Sequence, residues 1–425
     1  MNLGYGKGEV NLSLPEGLTL KGVLEPPQAL SRPEEEVIRE SLANPIDSPR
    51  LRDIVSAGET VCIVVSDVTR AWQRMAVYLP FVVEELMAGG VREEDISFLT
   101  ATGTHRAQTE EEHRMLLGGL LDRFKIVDHD CTDGDSLVDL GFTSRGTPLK
   151  VNRMVTQCDR LIITGAVTYH VMAGWGGGRK SILPGVASYD AIQANHALAL
   201  KPSPHTGRDM RCRCANMEDN SLHLDMEEAC QMVSPDFAFN VVIGGDGRIA
   251  AAVSGHWRFS HLKGTELVND LNGVTVEDRA DVVVASAGGY PKDMVLYQSA
   301  KTVFNSAEAV KDGGTLVVVA RCQEGAGSDE CLEILTEYPD QIEREKALRD
   351  RFSIPRYVGY LLTEQAARVN LVLVSDMNQT DLEGSGIVAV STVEEAMAEV
   401  EKRHPQGGSV YVIPHGGAVF PFIKD

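Results

Sequence analysis

The feature that most constrains this chain is an alternation. Continuous apolar runs rich in β-branched residues recur, with helix-like stretches between them. The first four runs are Thr60-Val61-Cys62-Ile63-Val64-Val65, Asp95-Ile96-Ser97-Phe98-Leu99, Arg160-Leu161-Ile162-Ile163-Thr164 and Ala238-Phe239-Asn240-Val241-Val242-Ile243. Between the first two, Met75 to Ala88 has helical periodicity and stops at Gly89-Gly90. A strand that is apolar at every position is buried on both faces, which is the mark of a parallel sheet covered by helices on each side.

The pattern restarts after Asp270. Asp281 to Ser286, Gly314 to Val319, Asn370 to Val374 and Val410 to Ile413 read as strands, with helices over Asp293 to Val310 and Val393 to Arg403. The expected architecture is α/β, with two Rossmann-like domains and mostly parallel sheets. The break falls near 265–278, giving domains 1–268 and 269–425, with the last strand a candidate to return to the first domain. No low-complexity linker separates the halves, so an active-site cleft is expected between them.

Composition narrows the function. The 425 residues allow each domain its own core. Forty Lys and Arg against 61 Asp and Glu give a net charge of −21. That balance argues against nucleic acid or an anionic membrane surface, both of which need a basic face. No run reaches the roughly 18 apolar residues of a membrane span. Met1 to Tyr5 has neither the charged nor the apolar part of a secretory signal. The eight cysteines form no C-x-x-C, and Cys212 and Cys214 lack a second pair that would complete a zinc site. Scattered thiols in such a chain fit a reducing cytoplasm, and Cys62, inside an apolar run, reads as core.

Ligands of doubly wound sheets bind beyond the carboxyl ends of the strands. Here those ends carry Ser66-Asp67-Val68-Thr69-Arg70, Thr100-Ala101-Thr102-Gly103-Thr104-His105-Arg106, Gly165-Ala166-Val167-Thr168-Tyr169-His170 and Ala287-Gly288-Gly289-Tyr290-Pro291. Four such ends are expected to converge on one edge. His105 and His170 are acid–base candidates, because imidazole both takes and gives a proton near neutrality. Arg70 has the planar fork that suits a carboxylate, and Asp67 can orient it or a histidine.

Gly174-Trp175-Gly176-Gly177-Gly178-Arg179-Lys180-Ser181 is not a Walker A motif, because Arg179 stands where glycine must precede the lysine. It is not G-x-G-x-x-G either. What remains is a run of glycines beside two cations, suited to a phosphate or carboxylate, with Lys180 a nucleophile if desolvated. Ser188 reads as the N-cap of a helix from Tyr189 to Leu200 carrying His196, for which ligand and core roles both stay open. Gln298 and Lys301 share one face of a helix. Met172, Trp175 and Trp72 are candidates for an apolar wall.

Taken together, these residues resemble the nickel-pincer-dependent lactate racemases and their relatives, over nearly the whole chain. The resemblance rests on Ser66 to Arg70 and Ala101 to Arg106. It rests most specifically on His170-x-x-Ala173-Gly174-x-x-Gly177-Gly178-Arg179-Lys180-Ser181-x-Leu183-Pro184-Gly185, continuing to Ala194-Asn195-His196. Asn220 through Met226-Glu227-Glu228, and Gly288 to Pro291 through Gln298 and Lys301, complete it.

The resemblance implies a 2-hydroxy acid racemase or epimerase. It further implies a nickel-pincer nucleotide, a nickel pyridinium-3,5-bisthiocarboxylic acid mononucleotide, bound covalently to Lys180 and ligated through nickel by His196. Asp67, Thr69, Gly177, Gly178 and Arg179 are implied at the cofactor, and Arg70, Gln298 and Lys301 at the substrate. His105 and His170 are the implied acid–bases of a hydride transfer that passes through a 2-keto acid. Cofactor-building proteins are implied partners, and a homo-oligomer stays open.

The sequence also departs from the family. Thr168-Tyr169 and Val171-Met172 stand where lactate racemases commonly have Glu-Pro and two Phe, and Trp175-Gly176 stands where Phe-Ser is common. The expected consequence is a larger pocket and a longer or more polar 2-hydroxy acid. Two other readings compete, an NAD-type oxidoreductase on a similar fold and a non-catalytic binding homologue. The missing dinucleotide fingerprint counts against the first, and the intact His105, His170, Lys180 and His196 against the second.

Overall fold

A computed structural model describes residues 1–26 and 32–424. The chain forms two compact units. One comprises Gln28–Ala199 and Asp209–Leu271; the other comprises Met1–Pro27, Leu200–Arg208 and Asn272–Asp425.

The first unit is built on a six-stranded sheet in the order Ile249–Gly255, Phe237–Ile243, Arg160–Ala166, Val61–Ser66, Ile96–Ala101, Lys125–Asp128. Every pairing is parallel except that of the edge strand Ile249–Gly255, which runs antiparallel to Phe237–Ile243. Val61 to Val65 are each at most 1% exposed, as a strand covered on both faces requires. Helices Glu34–Ala43 and Met75–Ala88 supply the core on one side, where Tyr78 meets Phe239 with ring centroids 5.1 Å apart. Toward the carboxyl end, Ser181 Oγ donates to the Thr164 carbonyl at 3.0 Å, tying the glycine-rich segment to the sheet. The chain steps outward from Val61–Ser66 through two strands, then crosses back to Arg160–Ala166 on the other side. The crevice between those two strands is a topological switch point.

The second unit has its own six-stranded sheet, all parallel, in the order Val388–Val390, Asn370–Val374, Val310–Val319, Ala280–Ser286, Gly408–Ile413, Leu18–Val23. Met1–Pro27 belongs to the second unit, whose long segment begins at Asn272. The reason is one pairing: Leu18–Val23 extends the edge strand Gly408–Ile413, a long-range choice that local pattern does not encode. The last strand, Phe420–Ile423, pairs with Gly273–Val276 and stays in the second unit.

All eight strands read from the apolar runs are present. The helix expected over Asp293 to Val310 is shorter, Leu296–Ser306. Asp293 precedes it, buried, with Oδ2 accepting from the Gly6 and Arg321 amides. Among the described residues no helix is long and apolar enough to cross a membrane.

Candidate active site

Three of the four polar strand ends meet on the first sheet; the fourth, Ala287 to Pro291, follows a strand of the second. After Val61–Ser66 the chain turns into a short 3-10 segment, Val68–Gln73, and Asp67 is left buried at its start. Asp67 Oδ2 lies 2.5 Å from His105 Nδ1, and Oδ1 accepts from Thr69 Oγ1 at 2.6 Å. A carboxylate only accepts, so His105 carries its proton on Nδ1 and presents Nε2 as the basic nitrogen. Burial pushes the Asp67 carboxyl up, but the His105 and Thr69 hydrogen bonds and the charges of His105 and Arg70 outweigh it and hold it below its ordinary value. His105 itself is about half exposed, its side chain 47% accessible. Arg70 is exposed, with Nη1 donating to Thr69 Oγ1 at 3.1 Å.

His170 is supported differently. It sits on a two-residue ribbon, Tyr169–His170 paired with Gly174–Trp175. The turn between them folds the Met172 and Ala173 amides onto His170 Nδ1, at 3.2 and 3.1 Å. On the other side of the ring, Nε2 lies 2.9 Å from Lys180 Nζ. Burial pushes the Lys180 ammonium well below its usual range, and the charges of Arg179 and Arg70 push the same way.

His196 lies on helix Tyr189–Ala197, capped by Ser188 as expected, whose side chain accepts from the Ala191 amide. It is 2% exposed, and its Nδ1 donates to the Ile192 carbonyl at 2.7 Å. That bond makes Nε2 the unprotonated nitrogen, the form a metal takes, with the second-nitrogen anchoring typical of metal-binding histidines. Burial pushes its imidazolium form down to about 4. Among the described residues no three His, Cys, Asp or Glu side chains are grouped to hold an ion.

Arg179 corrects the sequence reading. It was expected to face an anion; instead it is 1% exposed and turned into the protein. Its five N–H groups meet His223 Nδ1 at 2.9 Å, His261 Nε2 at 2.8 Å, and the carbonyls of Ala173, Trp175 and Gly177 at 2.9, 3.0 and 3.4 Å. Nothing of the fork is left for a phosphate. Gly178 is committed too, its amide donating to Asn240 Oδ1 at 2.9 Å. The glycines are there for close approach: at Gly177 (φ +75°) a Cβ would come within 2.8 Å of the Ala166 carbonyl oxygen.

Sequence reasoning missed the residues that brace the site. His223 Nδ1 accepts from Arg179 Nε, and His261 Nε2 lies between Arg179 Nη1 at 2.8 Å and the Gly176 carbonyl at 2.9 Å. Asn220 caps helix Ser221–Val233 and donates to the Met172 carbonyl at 2.8 Å. Asp225 binds Thr143, Thr147 and Asn195, the last of these beside His196. One signal was available: Asn240 interrupts an otherwise apolar strand.

The departures from the family fall on the ribbon. Tyr169 and Trp175 are cross-strand partners, so they share the face opposite His170. Both are buried, with ring centroids 6.1 Å apart. Met172 is also buried and Trp72 is 43% exposed. Gln298 and Lys301 share the exposed side of helix Leu296–Ser306 in the second unit.

Two histidines and a desolvated lysine follow strand ends near the switch point of a parallel sheet, the place where α/β proteins gather ligand-handling groups. The lactate racemase N-terminal domain family matches residues 5–207, and the lactate racemase C-terminal domain family residues 275–420. The lactate racemase of Thermoanaerobacterium thermosaccharolyticum is 30% identical, over 99% of this chain and 98% of its own length. That of Lactiplantibacillus plantarum is 31% identical, over 90% of each chain. The structure of the lactate racemase apoprotein from Thermoanaerobacterium thermosaccharolyticum aligns with a TM-score of 0.87, at 29% identity and 99% coverage of both chains. A crystal structure of a Thermotoga maritima protein aligns with a TM-score of 0.64 at 17% identity, covering 94% of this chain and all of its own, a likeness of fold alone. The chain belongs to the lactate racemase family, and is a racemase, an isomerase.

Proposed function

We propose that this racemase inverts the α-carbon of a 2-hydroxy acid, lactate or a larger relative, with the nickel-pincer nucleotide anchored on Lys180 and ligated by His196. One observation supports this most: two histidines with opposite supports, His105 on a carboxylate and His170 on backbone amides, in a site that also holds a desolvated lysine. When bound, the nucleotide supplies a centre that takes the α-hydrogen as hydride and gives it back.

The chain supplies the rest. Arg70, steadied by Thr69, binds the substrate carboxylate, and Gln298 and Lys301 are assigned to substrate as well. His105 Nε2 takes the hydroxyl proton as the α-hydrogen leaves, giving a planar 2-keto acid. When hydrogen returns to the opposite face, His170 reprotonates the oxygen. The ionised Asp67 stabilises the His105 imidazolium that forms. Two bases on two sides are what an inversion requires. The eight cysteines, all free thiols, support a reducing cytoplasm as the working compartment, and the enzymes that build the nucleotide as its partners.

Intact mass spectrometry of protein made alongside the cofactor-building enzymes tests the reading. A mass adduct, mapped to Lys180 and lost in Lys180→Ala, is expected, together with racemisation without added NAD. No adduct on Lys180 refutes it.

A further inference from the structure

We propose that His170 has an earlier task than acid–base chemistry: in the apoprotein, the Met172 and Ala173 amides fix it as the Nε2–H tautomer, and that N–H holds Lys180 as an unprotonated amine poised for acylation. This rests on the reading above and deepens it.

The argument is hydrogen-bond accounting. Two backbone N–H groups point at His170 Nδ1. Backbone amides only donate, so Nδ1 carries no proton, and in a neutral imidazole the proton is on Nε2. Lys180 Nζ lies 2.9 Å from that same Nε2. An ammonium has three donors and no acceptor, so a charged Lys180 would set donor against donor. A neutral amine offers a lone pair to the Nε2–H, and the contact becomes a hydrogen bond. The surroundings agree, since the charges acting on Lys180 are the cations Arg179 and Arg70.

The consequence is an order of events. In acylation, the Nζ lone pair attacks an acyl or thioacyl carbon. A C–N bond forms, the bond from that carbon to its oxygen or sulfur leaving group breaks, and the leaving group departs with the proton that Nζ sheds. No electrons are gained or lost. The product nitrogen is amide-like, its lone pair delocalised, and it no longer accepts a hydrogen bond. His170 Nε2–H then loses the acceptor it held in the apoprotein, so anchoring a group on Lys180 ends the positioning task of His170.

The test uses apoprotein made without the cofactor-building enzymes. Long-range 1H–15N spectra at pH 7, assigned by loss of one signal set in His170→Gln, should show His170 with a protonated Nε2 and an unprotonated Nδ1. An Nδ1–H tautomer or an imidazolium overturns the proposal. In parallel, N-hydroxysuccinimidyl acetate is applied in limiting amount and acetylation is read by peptide mass spectrometry. An ordinary lysine near 10.4 is neutral in only about one molecule in 2500 at pH 7. Lys180 should therefore acetylate at least about tenfold faster than exposed Lys150. His170→Leu should slow it about tenfold, and His170→Gln, which keeps an N–H donor, should restore most of the rate. Equal rates for Lys180 and Lys150, or no effect of His170→Leu, overturn the proposal. The wrong tautomer alongside a Lys180 adduct in loaded protein sinks this inference alone. The right tautomer with no adduct sinks the proposed function alone.

Discussion

Acid should unfold the first unit through histidines that it buries uncharged. Burial pushes His196 down to about 4, and it pushes His261 to about 3 and His223 to about 2 with help from Arg179. An unfolded histidine titrates near 6.5. Because the folded values are depressed, the unfolded chain takes up protons first as pH falls. The stability these groups contribute is present above about 6.5 and is lost progressively toward about 4 for His196, about 3 for His261 and about 2 for His223. At pH 5 all three folded values still lie below the solution pH, so the loss is set by the unfolded chain. It comes to about 2 kcal/mol per histidine, or about 6 kcal/mol for the three. Total stabilities of about 5–15 kcal/mol are usual, so this decides whether the unit stays folded.

All three tryptophans, Trp72, Trp175 and Trp257, belong to this unit, so tryptophan fluorescence reports its unfolding. Urea titrations at pH 7, 6 and 5 give the slope of stability against pH. His261→Gln keeps a polar group beside Arg179 but cannot take up a proton in either state. The variant should lose about 1 kcal/mol per pH unit less than the parent between pH 6 and 5. A parent whose stability does not fall between pH 7 and 5, or a variant with the parent's slope, would refute the reasoning.

Two further outcomes are expected. Asp67→Asn removes the carboxylate that fixes the His105 tautomer and stabilises its imidazolium; kcat should fall about 100-fold or more, read by chiral chromatography of initial rates, with circular dichroism unchanged. Gly178→Ala puts a Cβ 2.8 Å from His261 Cδ2 at φ +51°, and should cost about 1–3 kcal/mol in the same urea assay.

The strands were legible because burial on both faces forces every residue of a run to be apolar, as in Val61 to Val65. Leu18–Val23 was not read as a strand, because its partner lies some 390 residues away in sequence and nothing local names it. Lys125–Asp128 was missed because it is short, partly exposed and of mixed residues, and Ile249–Gly255 because its run of alanines lacks the β-branched residues that mark the other strands. The site divides in the same way. His105, His170 and Lys180 could be found because they follow strand ends, where the fold gathers chemistry. Arg179 was misread because a cation beside glycines looks the same whether it faces an anion or five acceptors of its own protein. The direction of a side chain is a property of packing, and here it depends on His223 and His261, which come 44 and 82 residues later.

The two histidines pose a question of symmetry. A racemase interconverts mirror images of equal free energy, so kcat/KM must be the same in both directions. The protein is nonetheless chiral, and its two acid–base groups are built unequally. His105 shares its Nδ1 proton with a carboxylate, while His170 receives two backbone N–H bonds that commit its proton to Nε2. The two histidines thus meet the substrate hydroxyl from unlike settings, and each enantiomer starts its passage through the site at a different one of them. Equal kcat/KM can survive this only if kcat and KM each differ between enantiomers and their differences cancel. The enantiomer whose hydroxyl meets His105 should therefore show a different kcat from its mirror image, offset by its KM. Full progress curves from each pure enantiomer measure this, and identical kcat values would mean that the two supports are chemically equivalent despite their different geometry.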